Sequence, residues 1–175
     1  TGEIYVGVNP PKDIENYEEI GNLDLYKGKS SVDEYLDTRL LTIPTTIQSI
    51  NANAFDLAGK IATINFPDSL VTIEDFALDT TEWYKAQKAG AIYAGKVLYK
   101  VTGNAPEVKI ADGTLAISEG AVSNQTVKSV TIPKSVKTIG DKAFMNSAIT
   151  KITIPASVTV IGNNVFENAV SLKKV

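Results

Sequence analysis

The segment Val130-Thr-Ile-Pro-Lys-Ser-Val-Lys-Thr-Ile139 decides the fold, because the chain repeats its pattern. Apolar and polar residues alternate up to the proline, which is typical of a short strand with one buried face. Proline has no backbone N–H to donate, so it ends that strand. The same pattern returns in Leu41–Ile50, Ile64–Ile73, Val108–Ile117 and Ile152–Ile161. Only Val108–Ile117 lacks the proline and has Ala111 instead.

The spacing of these copies indicates stacked coils. The equivalent positions are Ile43, Phe66, Ile110, Ile132 and Ile154, which are separated by 23, 44, 22 and 22 residues. The step of 44 is two periods, so an insert at residues 79–107 takes the place of about one coil. One coil cannot fold alone, and neighbouring coils must share a core. A period of about 20–29 residues predicts a leucine-rich-repeat solenoid. We expect the α/β repeat class, with about five coils of short parallel strands and short helical turns.

Each coil also contains a second shared piece after its second strand. Gly140 and Gly162 follow that strand, and we expect a turn with positive φ there. Ala143 and Phe144 come next, predicted on a short helical turn with the Phe ring filling the centre of the coil.

These residues resemble a known family. The pattern Ile-x-Ile-Pro-x-Ser-Val-x-x-Ile-Gly-x-x-Ala-Phe, which residues 130–147 follow closely, is similar to the BspA-type leucine-rich repeat of bacterial surface proteins. The resemblance covers residues 40–175, and the insert from Thr81 to Lys100 is similar to one that recurs in that family. The family often has cysteine three residues after the Phe, where this chain has Ala58, Gln125, Ser147 and Ala169. The resemblance implies an extracellular or cell-surface protein that binds proteins or host matrix.

The domain prediction places a cap-like segment at residues 1–40 and the solenoid at residues 41–175. Within the insert, Ala91–Val101 predicts a β-hairpin that turns near Gly95. The start of the chain resembles this hairpin in Gly2–Gly7 and Leu23–Lys27, so we expect a divergent copy there. Residues 1–38 hold nine acids against three lysines, and solvated acidic helix faces explain this charge most simply; the alternative is a site for a cation or a basic partner.

Composition excludes several function classes. The 175 residues contain no Cys and no His, which removes thiol nucleophiles, His-based triads and Cys/His zinc sites. The net charge of −3 disfavours nucleic acid as a partner. No apolar run is long enough to span a membrane. No pair of carboxylates marks a cleft, so we predict that the protein is not an enzyme and has no catalytic residue, no cofactor and no metal site.

The exposed strand positions are the main candidate binding site. In a solenoid, outward side chains of successive strands form columns on one face, where repeat proteins bind partners. The alternative is that Thr and Ser are simply good residues for exposed strands. The predicted contact residues are Thr42, Asn65, Lys109, Thr131, Thr153, Glu107 and Lys151. Trp83 and Tyr84 form a second candidate, an aromatic patch for packing or for a ligand.

The predicted function is non-catalytic adhesion at a bacterial cell surface, through a protein or extracellular-matrix ligand. The alternatives are a carbohydrate-binding module and a spacer that presents another domain. Ser171–Val175 begins the register of another strand, so we expect a longer natural array or an end covered by a partner chain. The final coil is then the least ordered one or is covered by a neighbouring molecule.

Overall fold

The computed structural model describes residues 40–175. Its contacts divide these residues into two units: unit 1 contains residues 40–69 and Phe76–Gln87, and unit 2 contains Leu70–Asp75 and Lys88–Val175. Both units consist of β-solenoid coils with little helix. Of the predicted N-terminal segment, residues 1–39 lie outside the described residues, so the cap, its hairpin and the domain division remain predictions.

Unit 1 contains three short strands and one helix. The strands are β1 (Leu40–Thr42), β2 (Ser49–Ile50) and β3 (Thr63–Asn65), and the helix is α1 (Glu82–Lys85). Strands β1 and β3 are parallel, with Leu41 opposite Ile64. The buried Thr81 caps α1, because its hydroxyl accepts a hydrogen bond from the Tyr84 N–H at 3.1 Å.

Unit 2 contains nine strands, which are listed here in chain order. They are β4 (Thr72–Ile73), β5 (Gly90–Ala94), β6 (Val97–Thr102), β7 (Glu107–Lys109), β8 (Ala116–Ile117), β9 (Ser129–Thr131), β10 (Thr138–Ile139), β11 (Lys151–Thr153) and β12 (Val160–Ile161). One sheet has the order β11-β9-β7, and its strands are parallel. A second sheet has the order β12-β10-β8-β6-β5.

The predicted hairpin of the insert is confirmed. Strands β5 and β6 are antiparallel, with Ala94 opposite Val97, and Gly95 in the turn has a φ of 61°. Strand β6 then pairs parallel with β8, with Leu98 opposite Ile117. The step of 44 residues between Phe66 and Ile110 leaves room for one more coil, and β6 is the strand of that coil in the five-stranded sheet.

The equivalent apolar positions are stacked within each unit. In unit 1, Ile43 donates its N–H to the Asn65 carbonyl at 3.0 Å, next to Phe66. In unit 2, Ile110 and Ile132 belong to one buried cluster, and Ile154 packs against it. Coils of each unit thus share a core, as the repeat spacing predicted.

The expected positive φ at Gly140 and Gly162 is wrong. Neither residue has left-handed backbone; the positive φ values lie two residues later, at Lys142 (52°) and Asn164 (54°). A Cβ atom on Gly140 would lie 2.6 Å from the backbone N of Glu119 in the neighbouring coil. Glycine is therefore required there by the close approach of two coils rather than by a turn.

The predicted helical turn at Ala143 and Phe144 is also replaced by another structure. These residues lie in consecutive hydrogen-bonded turns, and α1 is the only helix within residues 40–175. Met145 donates to the Lys142 carbonyl and Ser147 to the Phe144 carbonyl, which are single turns. The left-handed residue at Lys142 interrupts the repeating backbone geometry that a helix needs. Phe144 is fully buried, as predicted.

Candidate functional site: the exposed strand faces

In unit 1 the predicted site residues Thr42 and Asn65 lie next to each other. They are register partners of β1 and β3, and both are exposed. The Asn65 side-chain amide donates a hydrogen bond to the Thr42 hydroxyl at 3.1 Å. Leu40, one of the exposed large apolar residues, occupies the same face with 53% of its surface accessible.

In unit 2 the other predicted strand residues form two columns. Lys109, Thr131 and Thr153 are successive register partners on β7, β9 and β11. Glu107 leads the second column, which continues through Ser129 to Lys151. A parallel bridge adds Lys174 beside Lys151. The strand face of unit 2 is defined here by these seven residues, of which only Ser129 is partly buried.

Alternation along each strand explains why these side chains are exposed. The central residues Val108, Val130 and Ile152 have 8%, 5% and 2% of their surface accessible and hold the strands against the core. Since neighbouring residues on a strand point to opposite faces, the residues before and after each of them point outward. The pairing register between strands then places equivalent outward side chains directly beside one another.

Two further lysines flank this face and were missed by the strand-based prediction. Lys128 precedes β9, and its carbonyl accepts the Thr150 N–H at 3.0 Å. Lys173 donates its backbone N–H to the Thr150 carbonyl, also at 3.0 Å. Both lysine side chains are exposed. Lys128, Thr150 and Lys173 follow one another at steps of 22 and 23 residues, which was readable in the sequence, but the two lysines lie outside the alternating strand positions on which the prediction was based.

Three acidic side chains that follow the second strands of unit 2 form ion pairs or hydrogen bonds. After the second strand, Asp75 forms an ion pair with Lys100 at 3.0 Å, and Glu119 forms one with Lys142 at 3.4 Å. At the equivalent position the Asp141 carboxylate accepts the backbone N–H of Asn163 at 2.8 Å. These acids therefore stabilise the turns of unit 2.

The predicted aromatic patch is part of the packing of unit 1. Trp83 lies on α1, is half-buried, and meets the Phe66 ring edge-to-face with 5.1 Å between the centroids. Its backbone N–H donates to the Ile61 carbonyl at 2.8 Å. Tyr84 is also half-buried. The Trp83 ring is thus held by protein contacts, which favours the packing role over a free stacking platform.

Hydroxyl groups occupy two of the positions where the family often has cysteine. Ser147 is buried and donates its hydroxyl to the Phe144 carbonyl at 2.7 Å. Thr81 lies three residues after Leu78, the equivalent of Phe144 in the second copy of the repeat, and its hydroxyl donates the same bond to the Leu78 carbonyl at 2.7 Å. Gln125 does not fit that pattern; it is half-buried, and its amide donates to the Ser123 carbonyl.

Among the described residues, the strand faces rather than a metal centre are the candidate site. Within residues 40–175 no three acidic side chains are grouped as a metal site would require. In the same part of the chain, no helix has the length and apolar character needed to cross a bilayer. What the strand faces offer is hydroxyl, amide and ammonium groups held in register, which suits contact with another polar surface.

Two solved structures are similar to the chain. One is a leucine rich cell surface protein from Faecalibacterium prausnitzii, with 19% identity and a TM-score of 0.41, covering 77% of this chain and 46% of that one. The other is a leucine-rich repeat protein from Bacteroides ovatus, with 18% identity and a TM-score of 0.33, covering 78% of this chain and 36% of that one. The chain thus spans less than half the length of either protein. No curated protein matches the chain.

The sequence profile of one family matches most of the chain. The BspA type leucine rich repeat region is found in six copies, over residues 30–88 and 93–175. The matched residues leave out 89–92, which include the first three residues of β5 in the insert hairpin. The predicted resemblance is confirmed, and the chain belongs to the family of BspA type leucine rich repeat proteins.

Proposed function

We propose that the protein is a non-catalytic interaction domain at a bacterial cell surface, and that it mediates adhesion by binding a protein or extracellular-matrix ligand. The observation that carries this proposal is the register of exposed polar side chains on the parallel strands. In unit 2, Lys109, Thr131 and Thr153 stand on consecutive strands over a buried core. Strand pairing holds the backbone of this face before binding, so little backbone entropy is lost on contact with a partner.

The cell-surface location is supported by family membership and by one similar structure, which is that of a cell surface protein. The absence of histidine and cysteine from the sequence narrows the catalytic chemistry open to the chain. In unit 2, Asp75, Glu119 and Asp141 hold turns together and do not form an acid pair for hydrolysis. These observations favour binding over catalysis.

The test is a binding panel with variants of the strand face. We expect the full chain to bind at least one protein in a panel of host-matrix proteins measured by biolayer interferometry. Thr131→Trp places a large ring in the middle of the unit 2 face, and Lys109→Glu inverts a charge there. Each should weaken that binding by roughly tenfold or more, because central contacts dominate interface energy. Lys134→Glu, which changes an exposed lysine outside the strands, is the matched control.

The two alternative functions give different results in the same experiment. A carbohydrate-binding module would bind on a glycan array and lose that binding with Trp83→Ala, while Thr131→Trp leaves it unchanged. A spacer would bind neither panel. Either result would overturn the adhesion proposal. Thermal unfolding of each variant identifies any loss that is due to misfolding.

A further inference from the structure

The charges of unit 2 are unevenly distributed. The unit contains eleven lysines against seven aspartates and glutamates. Two of the acids, Asp75 and Glu119, form ion pairs with lysines in the turns after the second strands. The strand face and its flanks hold five exposed lysines and a single carboxylate, Glu107. These lysines are Lys109, Lys128, Lys151, Lys173 and Lys174.

None of these five lysines forms an ion pair with a carboxylate in the part of the chain that the structure describes. Lys151 and Lys174 are direct register partners in a parallel bridge. Strands in a sheet lie about 4.8 Å apart, and like charges directly opposite each other are destabilising. The fold therefore retains a repulsive pair on this face, while Lys100 and Lys142 of the same unit each have a carboxylate partner.

We propose that this lysine-rich face of unit 2 binds an acidic protein surface, one that presents several aspartate or glutamate side chains together. The proposal rests on the interaction function proposed above and specifies the chemistry of the partner. Carboxylates placed between Lys109, Lys151 and Lys174 would remove the repulsion and supply the missing counter-charges. The hydroxyl groups of Thr131 and Thr153 lie in the same columns and can donate further hydrogen bonds to carboxylates.

The composition of the face favours an acidic ligand over a neutral one. Its positive charge is carried by lysines, since the only arginine, Arg39, precedes the described residues. The outward residues of β7, β9 and β11 contain no aromatic ring, so the face offers no platform for a neutral sugar. Lysine ammonium groups are compact point charges on flexible stems and attract carboxylates and sulfates alike, so heparin is included in the test below as the competing anion.

The test is a fluorescence-anisotropy titration of the full chain with a labelled oligoglutamate peptide. We expect saturable binding at low ionic strength that weakens as salt is added, because exposed charges are screened over about 8 Å at physiological salt. A variant with Lys109→Gln, Lys151→Gln and Lys174→Gln should bind roughly tenfold more weakly or worse. Replacing the same three lysines by arginine should retain binding, which shows that the glutamine variant lost charge rather than its fold.

The matched control removes the same amount of charge elsewhere in unit 2. Lys88→Gln, Lys134→Gln and Lys137→Gln change exposed lysines that lie outside β7, β9 and β11. We expect this variant to bind the peptide within about twofold of the parent chain. If it weakens binding as much as the face variant does, the effect is one of net charge and the proposal is wrong. Absence of peptide binding at low salt, or binding of heparin alone, would also overturn it.

This proposal can fail while the interaction function stands. Consider a matrix protein whose binding is abolished by Thr131→Trp but is insensitive to salt and to the face glutamine variant. Such a ligand uses the face without acidic groups, which overturns only the inference about chemistry. A ligand that tolerates Thr131→Trp overturns the interaction function at this face itself.

Discussion

At the scale of single residues, the first strand of each coil ends at a proline, except in one coil, where Ala111 takes its place. Pro44, Pro67, Pro133 and Pro155 have no N–H at this position, whereas Ala111 does. The Ala111 N–H donates to the Tyr93 hydroxyl of the insert hairpin at 2.9 Å. The hairpin thus provides an acceptor for the N–H that proline lacks in the other coils.

We predict that Tyr93 and Ala111 are energetically coupled. Tyr93→Phe removes the acceptor and should lower the free energy of unfolding by about 0.5–1 kcal/mol. Ala111→Pro removes the donor, and in the Tyr93→Phe background it should recover stability, because proline fits this position in four other coils. Urea unfolding of the two single variants and the double variant measures the coupling. Additive effects would show that the hydrogen bond contributes nothing.

The glycine that follows the second strand makes a separate prediction. Gly140→Ala should destabilise the chain by about 1–3 kcal/mol, because its Cβ would lie 2.8 Å from the Ser118 carbonyl carbon, a backbone atom that cannot move aside. Gly59→Ala is the control: its Cβ would meet the Thr80 carbonyl oxygen at an ordinary 3.5 Å. The control should change stability by less than about 1 kcal/mol in thermal unfolding. Equal effects of the two substitutions would contradict the close approach of coils at Gly140.

At the scale of the element, each coil depends on its neighbour for burial. Phe144 is fully buried, and its ring stacks on that of Phe166 with 5.5 Å between the centroids and 10° between the planes. Phe166 holds the equivalent position in the next coil but is only partly buried. The same residue type at the same repeat position therefore contributes differently according to which coils flank it.

This difference can be measured by truncating the two rings. Phe144→Ala should lower the free energy of unfolding by about 3–5 kcal/mol, because it opens a cavity between coils. Phe166→Ala should cost about 1–3 kcal/mol, since part of that ring already faces solvent. Chemical denaturation of both variants gives the comparison. A larger loss for Phe166→Ala would contradict the packing described here.

At the scale of the whole molecule, the shared core of unit 2 should produce a gradient of local stability. Ile117 and Ile139 are almost fully buried and lie on inner strands of the five-stranded sheet. Val160 and Ile161, on β12 at the edge of that sheet, each have 53% of their surface accessible. Because coils contact only their neighbours, β12 can open without disturbing β8.

We therefore predict faster amide hydrogen exchange at the edge than in the centre of this sheet. Under native conditions, peptides that contain Val160 and Ile161 should exchange well before peptides that contain Ile117. Mass spectrometry of the full chain after timed labelling follows both. Uniform protection across the unit would contradict coil-by-coil opening and indicate a single cooperative body.

Much of the architecture was predictable because the same strand pattern recurs in several coils, so that each copy supports the interpretation of the others. Alternation around Val130 and the proline after Ile132 predict a strand and its end, and other copies support the same interpretation. The hairpin was readable from two apolar arms around Gly95. For the candidate site, the strand positions such as Lys109 followed from alternation alone, whereas Lys128 lies just before β9 and Lys173 just before the isolated bridge at Lys174, so both escaped that rule.

The features that escaped prediction depend on contacts between residues distant in sequence. The requirement for glycine at position 140 comes from the Glu119 backbone, one coil away, and not from a local turn. The partner of the Ala111 N–H is Tyr93, on a hairpin whose docking no periodicity describes. The sequence leaves Trp83 open to packing or to ligand contact, and only the structure identifies Phe66 as the ring it packs against.

The sequence by itself determined the repeat, the strand faces and which side chains point inward, because each of these follows from local periodicity and from burial of apolar residues. Only the tertiary structure decided where coils approach too closely for a side chain, which hydroxyl accepts the Ala111 N–H, and which lysines remain without a counter-charge. These depend on distances between chain segments about one repeat apart, and a one-dimensional pattern does not contain such distances.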